Sequence, residues 1–170
     1  EMDSRLVLFK VGWQAGTYLR KLCHDMGKSL GCGAQMVELR RTRTGPLTEE
    51  KATTLHDVVD AIHFLRENGD EKEVRRVVLP LEEGVSHLPK VVVRDSAVDA
   101  LCHGAQLAAQ GVVKVHQGIS PGDLVAVMTL KNELIALGEA KTASKQMCTL
   151  ASGIVVETKR VVMERGLYPK

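Results

Sequence analysis

Three arginines fall within four residues of this chain, in Arg40-Arg41-Thr42-Arg43. Guanidinium groups at that density suit phosphate, which they grip with paired N–H donors. They also suit the solvated rim of a sheet. In a strand, alternate side chains leave opposite faces, so only some of Arg40, Arg41 and Arg43 can touch one nucleic-acid backbone. Further candidate phosphate partners are Lys90, Arg94, Lys141, Lys159 and Arg160. His103-Gly104-Ala105 offers a different chemistry, because a glycine at a helix end lets backbone groups approach a base closely. Aromatic residues make up 3% of the chain, so base stacking is not the main mode of binding, and Tyr18 reads as a packed ring. His56 and His63 have no third ligand at metal spacing and read as surface histidines. Cys23, Cys32, Cys102 and Cys148 form no C-x-x-C pair, and the expectation is reduced, largely buried thiols without a metal site.

The elements that must carry these groups follow from periodicity. Leu19, Leu22, Cys23, Met26 and Leu30 recur at helical spacing and predict a helix over residues 17–30, with the Thr17 hydroxyl as its cap and Gly31 and Gly33 at its end. Residues 36–43 alternate as a half-buried strand with a basic rim, and residues 6–11 read as a first strand. Gly45-Pro46 stops the basic strand. Thr53-Thr54 caps a second helix whose stripe is Leu55, Val58, Val59, Ile62 and Leu65, ending before Asn68-Gly69. A shorter helix spans 71–78. The acidic residues Asp57, Asp60, Glu67, Asp70, Glu71 and Glu73 read as solvated faces. A second module begins near Leu88-Pro89, with strands expected at 90–93, 112–116, 123–128, 134–138 and 154–162. Asp95-Ser96-Ala97-Val98-Asp99 reads as a capping box opening a short helix, and Pro121-Gly122 as a turn. Many short strands with few helices predict a barrel-like second half, and the whole is α+β.

Composition bounds the function. A chain of 170 residues with 44% hydrophobic content can build one or two cores. No run approaches the roughly 20 apolar residues of a membrane span, and no secretory signal is recognisable, so a soluble, cytoplasmic protein without membrane contact is expected. The net charge of +2 conceals a segregation. Residues 1–43 hold 8 basic against 4 acidic residues, 44–88 hold 5 against 10, and 89–170 hold 10 against 7. Two basic modules thus flank an acidic connector. Basic patches attract phosphate without specifying sequence, though a mildly basic balance alone does not demand nucleic acid.

The motifs in their order resemble a family. Gly16-Thr17-Tyr18-Leu19-Arg20, Asp25-Met26-Gly27, Leu30-Gly31-Cys32-Gly33-Ala34 and Leu39-Arg40-Arg41-Thr42 are similar to the last motif block of TruB-type pseudouridine synthases. Leu79-Pro80-Leu81-Glu82 fits the same comparison. Asp95-Ser96-Ala97-Val98, His103-Gly104-Ala105, Gly118-Ile119-x-x-Gly122-Asp123 and Ala136-Leu137-Gly138 resemble a PUA domain, as in the RNA-guided, dyskerin-like members and most closely their archaeal form. The resemblance implies the C-terminal part of a synthase catalytic domain, a mixed sheet with helices over residues 1–88, and a PUA pseudo-barrel over residues 89–170.

What that implies for chemistry is specific. In the family an arginine matching Arg20 pairs with the nucleophilic aspartate, keeping it ionised and oriented, and a leucine matching Leu39 packs in the uracil pocket. The family's upstream aspartate motif is absent from this sequence; Asp25 lies on the polar helix face and does not match it. Glu1 in place of Met, followed by a strand, adds to the expectation of a partial chain that is inactive alone. The resemblance further implies uridine isomerisation in ribosomal RNA or tRNA without cofactor or metal. The implied partners are an H/ACA guide RNA, a substrate RNA and small accessory proteins: a zinc-ribbon-like protein, a glycine-arginine-rich protein and a kink-turn binder. A stand-alone PUA-type RNA-binding adaptor is the alternative reading. A tRNA-directed bacterial-type synthase is a third, disfavoured by the PUA match after Leu88.

Overall fold

The computed structural model describes residues 2–3 and 5–169, and side chains from residue 5. Glu1 and Lys170, the outer bounds of the two expected domains, lie outside the described residues. The chain divides into two units, Glu1–Arg41 and Thr42–Lys170.

In the first unit the strand expected over residues 6–11 shrinks to β2 (Leu6–Val7), paired antiparallel with β1 (Met2–Asp3). The helix α1 runs Leu19–Ser29. Its N-cap is Tyr18 with no side-chain cap bond, so the Thr17 hydroxyl does not cap it as expected. Leu19 and Gly27 are its buried residues, while Met26 and Leu30 remain exposed. Gly31 closes the helix with φ +72°, left-handed geometry that a side chain would strain. The strand expected over 36–43 is absent: residues 36–42 are irregular and Val37 is 80% exposed. Alternation alone does not make a strand, because its backbone groups need a ladder partner, and none pairs there among the described residues.

The second unit opens with the hairpin β3 (Arg43–Thr44) and β4 (Leu47–Thr48), so that Gly45-Pro46, expected only to stop a strand, turns the chain into a second one. α2 spans Leu55–Asn68 and carries a full capping box, in which the Thr54 hydroxyl accepts from Asp57 N and Asp57 Oδ2 accepts from Thr54 N. Asp57 is therefore a cap as well as a solvated charge, and the Thr54 hydroxyl holds its carboxyl below the usual range. Glu71 and Glu73 likewise pair with Arg75 and Arg76 in α3 (Lys72–Val77). The apolar stripe of α2 is open: only Ala61 is buried, and Leu55, Val59 and Ile62 are exposed.

α4 (Leu81–Gly84), not foreseen, leads into the module formed by β5 (Lys90–Val93), α5 (Asp95–Cys102), β6 (Leu107–Ala108), β7 (Val112–Val115), β8 (Leu124–Met128), β9 (Leu134–Ala140), α6 (Ser144–Met147) and β10 (Ile154–Val161). Six strands join in the order β6-β10-β9-β8-β5-β7, with β5 and β8 parallel and the other pairs antiparallel. Period-two alternation lets this sheet serve two cores. Val91, Val93, Val125 and Val127 pack with Val98, Leu101 and Met147. Ala126 and Met128, on the opposite face, pack with Leu134 and with Val85, just after α4. Glu82 of α4 also accepts a 2.9 Å bond from Leu134 N, so the segment before Pro89 is fastened to the sheet. The expected capping box at the start of α5 does not form: Arg94 is the N-cap and makes no side-chain cap bond.

Candidate nucleic-acid interface

Arg20 stands exposed in the first turn of α1, and Leu39, expected in an apolar pocket, is 51% exposed in the irregular segment. Arg40 and Arg41 are exposed in that same segment; the Arg41 guanidinium lies 5.9 Å from the centroid of the Trp13 ring, a cation–π contact. Arg43 belongs to β3 in the other unit. The three arginines therefore do not form the single basic strand that the sequence predicts.

The second module brings several candidates together around β10. Gly104 takes φ +87° just past α5, where its N–H donates to Leu101 O (2.9 Å) and that of Ala105 to Ala100 O (3.0 Å). Here the predicted helix end stands as expected. His103 is exposed, and its Nδ1 lies 2.8 Å from the Asp99 carbonyl. Since a carbonyl only accepts, Nδ1 carries the proton, and Nε2 is left for a ligand. Thr158 of β10 ties this loop to the sheet: its hydroxyl donates to Ala105 O (2.7 Å) and its N–H to Gln106 Oε1 (2.8 Å).

Beside Thr158 lies a network of charges. Glu139 and Glu157 are directly opposed across β9 and β10, an arrangement that repels by itself. Lys141 bridges both carboxylates, to Glu139 at 2.9 Å and more closely to Glu157. Lys159 does the same at 3.4 Å and 2.9 Å. The Lys141 ammonium, with Lys159 beside it, holds the Glu157 carboxyl down to about 2, and the carboxylates push both ammonium groups up. A phosphate at Lys141 or Lys159 must therefore compete with carboxylates already in place. Arg94 and Arg160 are exposed and make no ion pair among the described residues. Lys90 is half-buried in β5.

Thr158, Gln106 and the two glutamates were not singled out in the sequence. The glutamates had a signal: Glu139-Ala140-Lys141 and Glu157-Thr158-Lys159 each set opposite charges two residues apart on one strand face. Trp13 had none. Of the thiols, Cys102 is buried and Cys23 half-buried, whereas Cys32 and Cys148 are exposed, so the expectation of largely buried thiols fails for two of four. His56 and His63 are exposed as expected, with His63 Nδ1 3.2 Å from Glu67 Oε2.

A six-stranded sheet with two short helices and a glycine-ended loop tied to β10 defines a PUA-like class of domain, here preceded by a helical segment fastened to the sheet. Residues 89–162 match the PUA domain, and residues 20–86 match the tRNA pseudouridylate synthase B C-terminal domain. The chain therefore carries a TruB-type C-terminal domain followed by a PUA domain. It is 62% identical over 170 residues to a protein of Methanopyrus kandleri named "Probable tRNA pseudouridine synthase B", covering all of this chain and 50% of that one. Among solved structures it is similar to the archaeal box H/ACA sRNP Nop10–Cbf5 complex, at TM-score 0.87 and 52% identity over 92% of this chain and 50% of that one. It is also similar to an H/ACA RNP bound to a substrate RNA containing 2'-deoxyuridine, at TM-score 0.85 and 52% identity over 91% and 49%. The chain thus spans about half the length of the curated relatives it matches. No helix among the described residues is long and apolar enough to cross a membrane.

Proposed function

We propose that this chain is the RNA-anchoring portion of an RNA-guided pseudouridine synthase, with residues 1–88 belonging to the catalytic domain and 89–170 forming the PUA domain. The observation that carries the reading is the likeness over 92% of the chain, rather than over the PUA portion alone, to an enzyme chain of an H/ACA particle. In this reading the partners are a guide RNA, a substrate RNA and the small accessory proteins of such a particle, and the substrate uridine belongs to ribosomal RNA or tRNA.

Pseudouridine formation breaks the N1–C1′ glycosidic bond of uridine, turns the uracil and rejoins it through C5, so the base must first leave its stack. Arg20 would keep a catalytic aspartate from outside this sequence ionised, and Leu39 would give the uracil an apolar wall. Both are exposed here, as groups awaiting a partner surface would be. Arg40, Arg41, Arg43, Lys90, Arg94 and Arg160 would meet phosphates, Lys141 and Lys159 more weakly because of their glutamates. The loop His103–Ala105 would meet the bases of an ACA trinucleotide. The exposed row Leu55, Val59 and Ile62 on α2 favours this reading over a stand-alone adaptor, since soluble monomers seldom leave contiguous apolar surface uncovered.

A binding titration tests the reading. An H/ACA-type hairpin ending in ACA is compared with one carrying an altered trinucleotide, at two salt concentrations. A preference for ACA of about 1–3 kcal/mol per changed base supports base readout. Equal, steeply salt-dependent binding to both would reduce the role to phosphate attraction. The chain alone should form no pseudouridine on a guided substrate; product formation would refute the assignment of the nucleophile elsewhere.

A further inference from the structure

We infer that Thr158 and Gln106 are positioning residues, a clamp that holds the His103–Gln106 loop in its binding shape before any RNA arrives. The inference rests on the RNA-anchoring reading above and adds residues to it that no sequence motif marked.

The argument starts from the edge of the sheet. β6 pairs with β10 only as far as Leu107 opposite Val156. Beyond Val156, β10 has lost that neighbour, and the Thr158 N–H would face no backbone carbonyl on that side. The Gln106 side chain supplies the missing rung with its Oε1 at 2.8 Å. A backbone amide can only donate, so the Gln106 amide has one possible orientation, with its Nε2 turned away from Thr158. The Thr158 hydroxyl completes a second bond from the same residue, donating to Ala105 O at 2.7 Å. Between Thr158 and Arg160 the register against β9 shifts, from Gly138 opposite Thr158 to Leu137 opposite Arg160. Such a bulge re-aims the side chains of one strand.

The loop is thereby held from two sides. Gly104 and Ala105 bond back to the end of α5, and Ala105 and Gln106 bond forward to β10. None of these bonds uses a charged group. The clamp is chemically separate from the adjacent Lys141, Lys159, Glu139 and Glu157 network, so salt that screens the network leaves it intact. Gln106 also lines a cleft of about 160 Å³ with Ala97, Ala100, Leu107 and Gly111. A loop ordered in advance spares the bound state the ordering cost that a mobile loop must meet. The expected consequence is a larger difference in affinity between the right and wrong trinucleotide, with little effect on phosphate attraction.

The test uses the full chain with Thr158→Val, which removes the hydroxyl at nearly constant volume, and Thr158→Ser, which keeps it. Amide hydrogen exchange at Gly104 and Ala105 is measured without RNA, and affinity is measured for the ACA hairpin and the altered hairpin. The Val variant is expected to exchange several-fold faster at both amides. Its affinity ratio between the hairpins should fall about two- to tenfold, the worth of one hydrogen bond. Affinity for the altered hairpin should not move, and the Ser variant should match the unaltered chain. Unchanged exchange in the Val variant overturns the clamp whatever the RNA does. Faster exchange with an undiminished affinity ratio overturns its role in discrimination. If the unaltered chain itself does not discriminate, the base-readout part of the RNA-anchoring reading fails, and exchange alone still decides whether Thr158 holds the loop.

Discussion

Gly138→Ala is the substitution whose sign this fold fixes most sharply. Glycine inside a strand normally costs about 0.5–1 kcal/mol relative to alanine, so propensity alone predicts that alanine stabilises. In β9 the geometry opposes this. A Cβ at Gly138 would lie 2.4 Å from Val156 Cγ1 and 2.9 Å from the Glu157 carbonyl oxygen. Carbon atoms in contact need about 3.5–4.0 Å. Val156 is fully buried and cannot swing away, and Glu157 O is backbone in the adjacent strand. Overpacking of this kind costs about 1–3 kcal/mol. With contacts this short the cost lies at the upper figure, and subtracting a propensity gain of about 0.5–1 kcal/mol leaves a net loss of about 2–2.5 kcal/mol. For a chain of this size that lowers Tm by about 4–10 °C. Thermal unfolding of the full chain, followed by circular dichroism, measures it. A double-mutant cycle with Val156→Ala then identifies the obstacle. If Val156 Cγ1 is what must move, the pair is less destabilised than the sum of the singles by about 0.5–3 kcal/mol. If the carbonyl dominates, the two losses add. A Gly138→Ala chain that unfolds at or above the original temperature would refute the reasoning, because nothing would then prevent β9 and β10 from separating to admit a methyl group.

The ion network predicts a pH profile. Glu157 is lowered from 4.5 to about 2, and a depressed folded-state value means stability that is present above about 4.5 and lost as pH falls toward 2; Glu157→Gln should lower Tm between pH 6 and 7, where that contribution is fully present, and flatten the fall in Tm across the acid window. Val85→Ala, which removes two methyl equivalents from the core between the α4 segment and the sheet, should cost about 1.5–2.5 kcal/mol in urea unfolding, and an unchanged midpoint would mean that the segment is not fastened there. Thiol labelling should be fast at the exposed Cys32 and Cys148 and slow at Cys102, where burial raises the thiol; early modification of Cys102 would contradict its place in the core. If the chain binds RNA, Arg94→Met should reduce the slope of log affinity against log salt by about 1, while Lys159→Met should reduce it less because Glu139 and Glu157 already neutralise that ammonium; equal slopes would show that the network opens on binding.

The second module was legible because its strands satisfy each other. Val91 to Val93, Leu124 to Met128 and Leu134 to Gly138 are short apolar runs, and every run found a ladder. Residues 36–43 alternate apolar with polar, yet only Arg43 entered a strand. The difference lies outside the segment: period two states which residues would share a face, and a partner strand decides whether the face exists. The stripes on α1 and α2 show the same limit, since helical spacing predicted both helices but not whether their apolar faces would be covered. α4 was missed because four residues carry no periodicity, although it sets Val85 into the second core.

The site divides along a related line. Residue type marked His103, Gly104 and Ala105 correctly as a helix end, since that inference needs only the glycine and its position. Charge marked Lys141 and Lys159 as phosphate partners, and there type was insufficient. An ammonium group recruits phosphate in proportion to how little opposes it, and each of these faces two carboxylates brought over from sequence positions 139 and 157 by the register of β9 and β10. On the RNA-anchoring proposal, affinity for a phosphate backbone would fall more heavily on Arg94 and Arg160, which carry no such partner among the described residues. Discrimination between bases would fall on the loop that Thr158 and Gln106 hold through bonds between uncharged groups. Such a separation would let the electrostatic part vary with salt while the loop geometry stays fixed, because the bonds that set the geometry are not the ones that salt weakens.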